Sequence, residues 1–191
     1  MRSVNVIKEE TRHLNEFVQE CLDFVQPPKK RDFTKVDINE VLSVVLNNVS
    51  HMFEGLPRKI EITNDLDPSV PKIEANYDEL KQAFLNIIRN SFEAMVEGGD
   101  LILKTSFKAS PPPGWIEIAV ADHGLGIKEE NKRHLFDPFF TTKPKGTGLG
   151  LAICHLIIVE RHGGKIQIEG EEGKGTTVTV LLPLRHPRDL A

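Results

Sequence analysis

Three short clusters in this chain of 191 residues carry groups suited to holding a charged ligand. Asn86 and Asn90 stand four apart in a segment whose apolar residues (Leu80, Phe84, Ile87, Ile88, Met95) recur at helical spacing. Their amides therefore share one face with Gln82 and Glu93. Asparagine is an indifferent interior helix residue, because its amide competes with the backbone for hydrogen bonds. Taken alone, the pair is most simply solvent decoration. Its neutral oxygens also suit a hard cation such as magnesium, which keeps waters and phosphate oxygens as its other ligands.

The second cluster, Asp122-His123-Gly124-Leu125-Gly126, directly follows a β-branched run. Its glycines permit a sharp turn and close approach to a flat ligand. A carboxylate fixed at a strand end can accept a hydrogen bond from an exocyclic amine. By itself such a turn is common punctuation. The third cluster, Gly146-Thr147-Gly148-Leu149-Gly150-Leu151, opens a helix. Backbone amides exposed at a helix N-terminus make a phosphate cradle. The block is neither a Walker loop, which ends in Gly-Lys-Ser/Thr, nor the dinucleotide fingerprint. A flexible hinge competes as a reading. Lys143 and Lys145, just before it, either reach phosphate oxygens or merely solvate the loop.

The elements that must position these clusters follow from periodicity. Val4, Ile7, Thr11, Leu14, Val18, Cys21 and Val25 form a heptad seam on one long helix that needs a partner helix. Pro27-Pro28 ends that helix. The chain thus divides into a helix (1–27), a basic linker (28–36), a main domain (37–184) and a tail (185–191).

Within the main domain, Asp37 and Glu40 read as a helix cap. Ile38, Val41, Leu42, Val45, Val49 and Met52 then predict a core-facing helix closed by Gly55 and Pro57. Residues 59–63 alternate as a half-buried strand, and 78–95 form a second helix stopped by Gly98-Gly99. Strands over 101–107 and 116–122 precede a polar, mobile loop between Gly124 and Gly148. A helix over 149–162 and a hairpin of 165–169 with 176–182 complete the domain. This order predicts an α+β fold, a two-layer sandwich of a mixed sheet with helices on one face.

Composition excludes several classes. Lys+Arg 24 against Asp+Glu 28 leaves a net charge of −4, the wrong sign for a surface that neutralises nucleic-acid phosphates. Hydrophobic residues at 39% and charged residues at 27% are a globular mixture. No apolar run approaches the roughly 20 residues that span a bilayer, so no membrane contact is expected of this chain. Cys21 and Cys154 cannot build a disulfide framework or a zinc cage, which favours a reducing, cytoplasmic setting.

The order Asn86…Asn90, then Asp122-x-Gly124-x-Gly126, then Phe139-Phe140-Thr141-Thr142-Lys143 with Gly146-Thr147-Gly148-Leu149-Gly150, resembles the ATP-binding domain of sensor histidine kinases. These are its asparagine, first glycine, phenylalanine and second glycine boxes. The wider superfamily (GHKL, with the Bergerat-type fold) includes gyrase, MutL and heat-shock chaperone ATPases. The resemblance covers residues 37–183, is closest to nitrogen-regulation-type kinases, and extends to the opening helix. That helix, ending Leu22-Asp23-Phe24-Val25-Gln26-Pro27, looks like the second helix of the family's dimerisation and phosphoacceptor hairpin.

The resemblance implies that Asp122 binds the adenine amino group and that Gly124 and Gly126 shape the purine pocket. It implies that Asn90 ligates Mg2+ with help from Asn86. Lys143, with Thr147, Leu149 and the amides around Gly146, Gly148 and Gly150, would hold the phosphates under a lid of residues 128–147. Thr176 would support Asp122 through water, with Thr177 as the alternative. A homodimer in the full-length protein and a response-regulator receiver domain as partner are implied as well.

Two features depart from the family pattern. His123 stands where asparagine is usual. More important, the phosphoacceptor box is absent: His13, His51, His134, His155, His162 and His186 all lack its context. The chain is therefore expected to begin after the acceptor helix and to act on a histidine of that separate helix. A gyrase-type ATPase would carry a water-activating glutamate where Asn86 stands. That ATPase and a non-catalytic nucleotide-binding module are the alternatives.

Overall fold

A cap opens the main domain. The Asp37 carboxylate accepts from the N–H groups of Asn39 at 3.1 Å and Glu40 at 3.3 Å, which satisfies donors that a helix start leaves open. Helix α1 (Ile38–Met52) follows. The computed structural model describes residues 33–55, 57–110, 114–144 and 146–185, together with Thr11, Leu14, Val18, Cys21 and Leu22. Those five are helical, Leu14 is exposed, and Cys21 packs against the domain core. The rest of the expected seam, the proline pair that ends it, and residues 28–32 and 186–191 lie outside the described residues.

The apolar stripe of α1 is buried with one correction: Met52 is 64% exposed, and Leu46 is buried instead. Phe53, just past the helix end, packs against the core, with its ring 5.3 Å from that of Phe92. A two-stranded antiparallel ribbon, β1 (Thr34–Val36) with β3 (Ile73–Ala75), was not legible in the sequence. Helix α2 (Tyr77–Ala94) starts at Asn76, whose side chain accepts from the Glu79 N–H at 3.0 Å.

The main sheet contains β2 (Ile60–Leu66), β4 (Gly99–Lys108), β5 (Trp115–Asp122), β6 (Lys165–Glu171) and β7 (Gly175–Pro183), in the order β2-β4-β5-β7-β6. β2 and β4 run parallel because the chain between them crosses over through α2. The remaining pairs are antiparallel. β2 is a correction to the half-buried strand: it is an edge strand, mostly exposed along its length, with Ile62 38% exposed. It has one neighbour only, and the helix layer leaves it largely uncovered.

One face of the sheet is covered. Leu101, Leu103, Ile116, Ile118, Val120, Val178, Val180 and Leu182 alternate inward. They meet the inner faces of α1, α2 and a later helix in one core. After β5 come the short helix α3 (Glu129–Lys132) and then α4 (Gly150–His155), which widens into a π-helix over Leu156–Arg161. This corrects the single regular helix expected over 149–162. The wider turn has a local cause: the Ile157 carbonyl accepts both the His162 backbone N–H at 3.1 Å and its ring Nδ1 at 2.8 Å. His162 Nε2 accepts the Asn76 N–H at 3.1 Å, so the proton sits on Nδ1 and the histidine ties α4 to the start of α2.

Candidate functional site

The alternation of β5 runs through Ile116, Ile118 and Val120 to Asp122, so the last carboxylate keeps the core-facing phase. Asp122 is 5% exposed. Its Oδ1 accepts the Gly124 N–H at 3.0 Å. The Ser91 hydroxyl on α2 and the Thr176 N–H on β7 also donate to it. Burial pushes the Asp122 carboxyl above the usual carboxylate range, and those donors and nearby His123 pull partly against it.

Register brings Thr176 opposite Asp122 and Thr177 opposite Ala121. Thr176 is therefore the threonine on the Asp122 face, with the buried Val178 and Val180; Thr177 points the other way. The turn after Asp122 rests on the end of α2, where Leu125 N–H donates to the Ala94 carbonyl at 3.1 Å. A Cβ on Gly124 would stand 2.7 Å from that same carbonyl group, so only glycine fits there.

The asparagine face of α2 looks toward α4 and the long loop. Asn86, 8% exposed, donates its Nδ2 to the Gly150 carbonyl at 3.3 Å. Asn90 Oδ1 accepts from Lys143 Nζ at 2.7 Å, and the same ammonium reaches Glu93 Oε2 at 2.5 Å. Arg89 Nε lies 3.6 Å from the other Glu93 oxygen. A Cβ on Gly150 would come into ordinary contact with Asn86, so the start of α4 stands against the first asparagine.

The loop that carries Lys143 is closed by its own backbone. Phe139 N–H donates to the Gly148 carbonyl at 2.9 Å, and Phe139 has a φ of 69°, rare for a side chain of its size. Gly148 has a φ of 72°, and a Cβ there would run into the Phe139 backbone. Between them, Thr141 Oγ1 accepts the Lys143 N–H at 3.1 Å and the Lys143 carbonyl accepts the Gly146 N–H at 3.1 Å. Thr147 Oγ1 accepts the Leu149 N–H at 3.2 Å at the start of α4. The Leu149 side chain is buried in the core, so only its backbone faces the loop. Lys145 lies outside the described residues.

The clusters that lie far apart in sequence thus converge at one end of the sheet. The model of histidine kinase-, DNA gyrase B- and HSP90-like ATPases matches residues 75–186. The chain belongs to this ATPase family. Sensor histidine kinase ZraS of Escherichia coli (strain K12) is 37% identical over 183 residues, covering 96% of this chain and 38% of ZraS. The chain therefore spans well under half the length of that relative. The catalytic domain of histidine kinase ThkA has a TM-score of 0.69 at 32% identity, covering 81% of this chain and 97% of the domain. Full-length ShkA in complex with AMPPNP has a TM-score of 0.77 at 27% identity, covering 95% of this chain and 38% of ShkA. The fold expected from the order of helices and strands, a mixed sheet with helices on one face, is the fold of histidine kinase catalytic domains.

Within this family of ATPases, the donor set here fits a nucleotide with a hard cation. In this structure the Asn90 amide oxygen already holds a cation, the Lys143 ammonium, with a carboxylate beside it. Two contributors escaped the sequence reading of roles. Ser91 interrupts the apolar run Ile87, Ile88, Phe92 with a small hydroxyl, which was the available signal for a group facing Asp122. Glu93 was legible only as a neighbour on the asparagine face, because its partner comes from 50 residues away.

Among the described residues no helix is long and apolar enough to cross a membrane.

Proposed function

We propose that this chain binds ATP with Mg2+ and transfers the γ-phosphate to a histidine on a separate acceptor helix, for relay to a response-regulator aspartate. The observation that carries this reading is the buried Asp122 carboxylate at the end of β5, which takes a hydrogen bond from Ser91 on α2, the helix that also carries Asn86 and Asn90. Asp122 accepts a hydrogen bond from the purine amino group. Gly124 and Gly126 let the turn lie flat against the ring, and Thr176 backs the carboxylate. Asn90, assisted by Asn86, is the cation ligand. Lys143 and the backbone of Gly146, Thr147, Gly148, Leu149 and Gly150 take the phosphate tail.

When bound, Mg2+ would be held by Asn90 with help from Asn86 and would supply positive charge to offset that of the phosphates during transfer. The chain's own task is positioning, since phosphoryl transfer asks for little covalent chemistry from the protein. Asn86 distinguishes this reading from a hydrolytic one. An amide has no basic site for a water proton, and its Nδ2 is engaged with Gly150. A neutral imidazole is a better nucleophile than unactivated water and yields a phosphoramidate. None of this chain's histidines lies in the acceptor motif, which supports an acceptor on another segment. A response regulator as the next acceptor is supported by ThkA, whose structure is known in complex with response regulator protein TrrA (TM-score 0.74, 28% identity).

The experiment is transfer in trans. The chain, labelled ATP, Mg2+ and a histidine-bearing acceptor hairpin are incubated together. Acid-labile, base-stable label on the hairpin is expected. Vigorous release of free phosphate with no labelled hairpin would replace the kinase reading with an ATPase. Nucleotide binding with neither outcome would leave a nucleotide-binding module.

A further inference from the structure

The ammonium of Lys143 stands on the oxygen that the proposed function gives to a divalent cation. Lys143 Nζ is 2.7 Å from Asn90 Oδ1, and Glu93 Oε2 closes on it from one helical turn further along α2. Glu93 and Lys143 are both partly buried, with side-chain exposures of 34% and 41%, so their pairing is only partly screened by water. A single amide oxygen does not serve an ammonium and a doubly charged ion at once, because the two cations repel at contact distance. Entry of the metal therefore requires Lys143 to leave Asn90. The loop that carries Lys143 is closed where the Phe139 N–H donates to the Gly148 carbonyl, both residues having positive φ.

We propose that Glu93 is a positioning residue of the nucleotide site: it seats Lys143 on Asn90 while no nucleotide is bound and releases it to the phosphates when the divalent cation takes Asn90. The loop and the metal then compete for one ligand. Closure of the loop over empty α2 and occupancy by the cation exclude each other. Glu93 sets the balance between them, and does so through Lys143. This inference rests on the proposed function for the identity of the cation. The seating of Lys143 without nucleotide does not.

The test is a double-mutant cycle on the whole chain with Glu93→Gln, Lys143→Met and the two combined, after circular dichroism and melting show each variant folded. The first readout is amide hydrogen exchange without nucleotide. The Lys143 and Gly146 amides should exchange about three- to tenfold faster in either single variant, and no faster again in the double. The second readout is the Mg2+ concentration that half-saturates ADP binding. Taken relative to each variant's own ADP affinity without metal, which cancels the lost phosphate contact, it should fall about three- to tenfold in Lys143→Met, because the competing ammonium is gone. Adding Glu93→Gln to that variant should change it little.

Unchanged exchange in Glu93→Gln would overturn the seating. A Glu93→Gln effect on Mg2+ that persists undiminished in the Lys143→Met background would also overturn the proposal, making Glu93 a metal ligand or a structural partner of Arg89. If the wild-type chain fails to bind ADP at all, the reading of the nucleotide site fails, and the exchange arm still decides the seating.

Discussion

Asp122→Asn is the substitution on which the purine reading turns. An ionised carboxylate offers about four lone-pair sites. Three donors of this chain use it: the Gly124 N–H, the Ser91 hydroxyl and the Thr176 N–H. That leaves room for one more, which the purine amino group fills. In the asparagine variant the oxygen can keep the Gly124 N–H, but the new NH2 is a donor facing donors. The variant thus loses a hydrogen bond to a charged group, about 1.5–3 kcal/mol, or about 10- to 150-fold in ATP affinity. The donor–donor approach favours the upper part of that range. Loss of a charge that burial disfavours offsets only part of the cost of leaving the Ser91 and Thr176 donors without an acceptor, so the nucleotide-free variant should lose about 1–3 kcal/mol, and affinity is measured well below its melting temperature. Calorimetric titration with ATP and thermal melting without it are the paired assays. Unchanged affinity refutes the pocket. Affinity lost only in step with the folded fraction would make Asp122 a structural residue only.

The same carboxylate gives a pH dependence whose sign can be worked out. Its folded-state pKa is raised, so between the unfolded and folded values the folded chain binds more protons. Its contribution to stability is therefore favourable at low pH and is lost as pH rises through the folded value. Nucleotide affinity runs the other way. It falls as pH drops through the folded value, because a protonated carboxyl no longer offers the amine a charged acceptor.

Three further outcomes are expected. Thr176→Val keeps the N–H on Asp122 but removes a hydroxyl from the same face and should weaken ATP binding several-fold, whereas Thr177→Val, on the opposite face of β7, should leave it unchanged in the same titration. Gly148→Ala should loosen the closed loop, because its φ of 72° and the adjacent Phe139 backbone both oppose a Cβ. Limited proteolysis within the loop should accelerate, while the melting temperature moves by a few degrees at most. Cys154 should resist alkylation in the folded chain at neutral pH, since burial pushes its thiol up to about 12 and its Sγ is held against the Ala83 carbonyl at 3.4 Å. Rapid labelling of Cys154 would mean that α4 detaches readily from α2.

Local chemistry made much of this protein readable from its residues. The α1 cap at Asp37, the inward stripe of α2 and the alternation of β5 are short-range properties, set by backbone geometry and by which faces must leave water. So was the content of the site: amides four apart on a helix, a carboxylate ending a strand in the core-facing phase, and glycines where chains approach closely. Where an element depended on distant partners, the sequence was silent or misleading. β2 alternates like a half-buried strand yet lies at a sheet edge, and Met52 continues a helical stripe but has nothing to pack under. The π-helix escaped periodicity for a local reason, the bond of His162 back to Ile157 five residues earlier; only the tie of its ring to Asn76, 86 positions away, needed the tertiary fold. Thr176 was separated from Thr177 only by strand register, and Glu93 met Lys143 only after two segments 50 residues apart had folded together. Residue type limits what each group can bind; which charge faces which is decided by tertiary packing, because electrostatic and hydrogen-bond partners are chosen by distance in space and not along the chain.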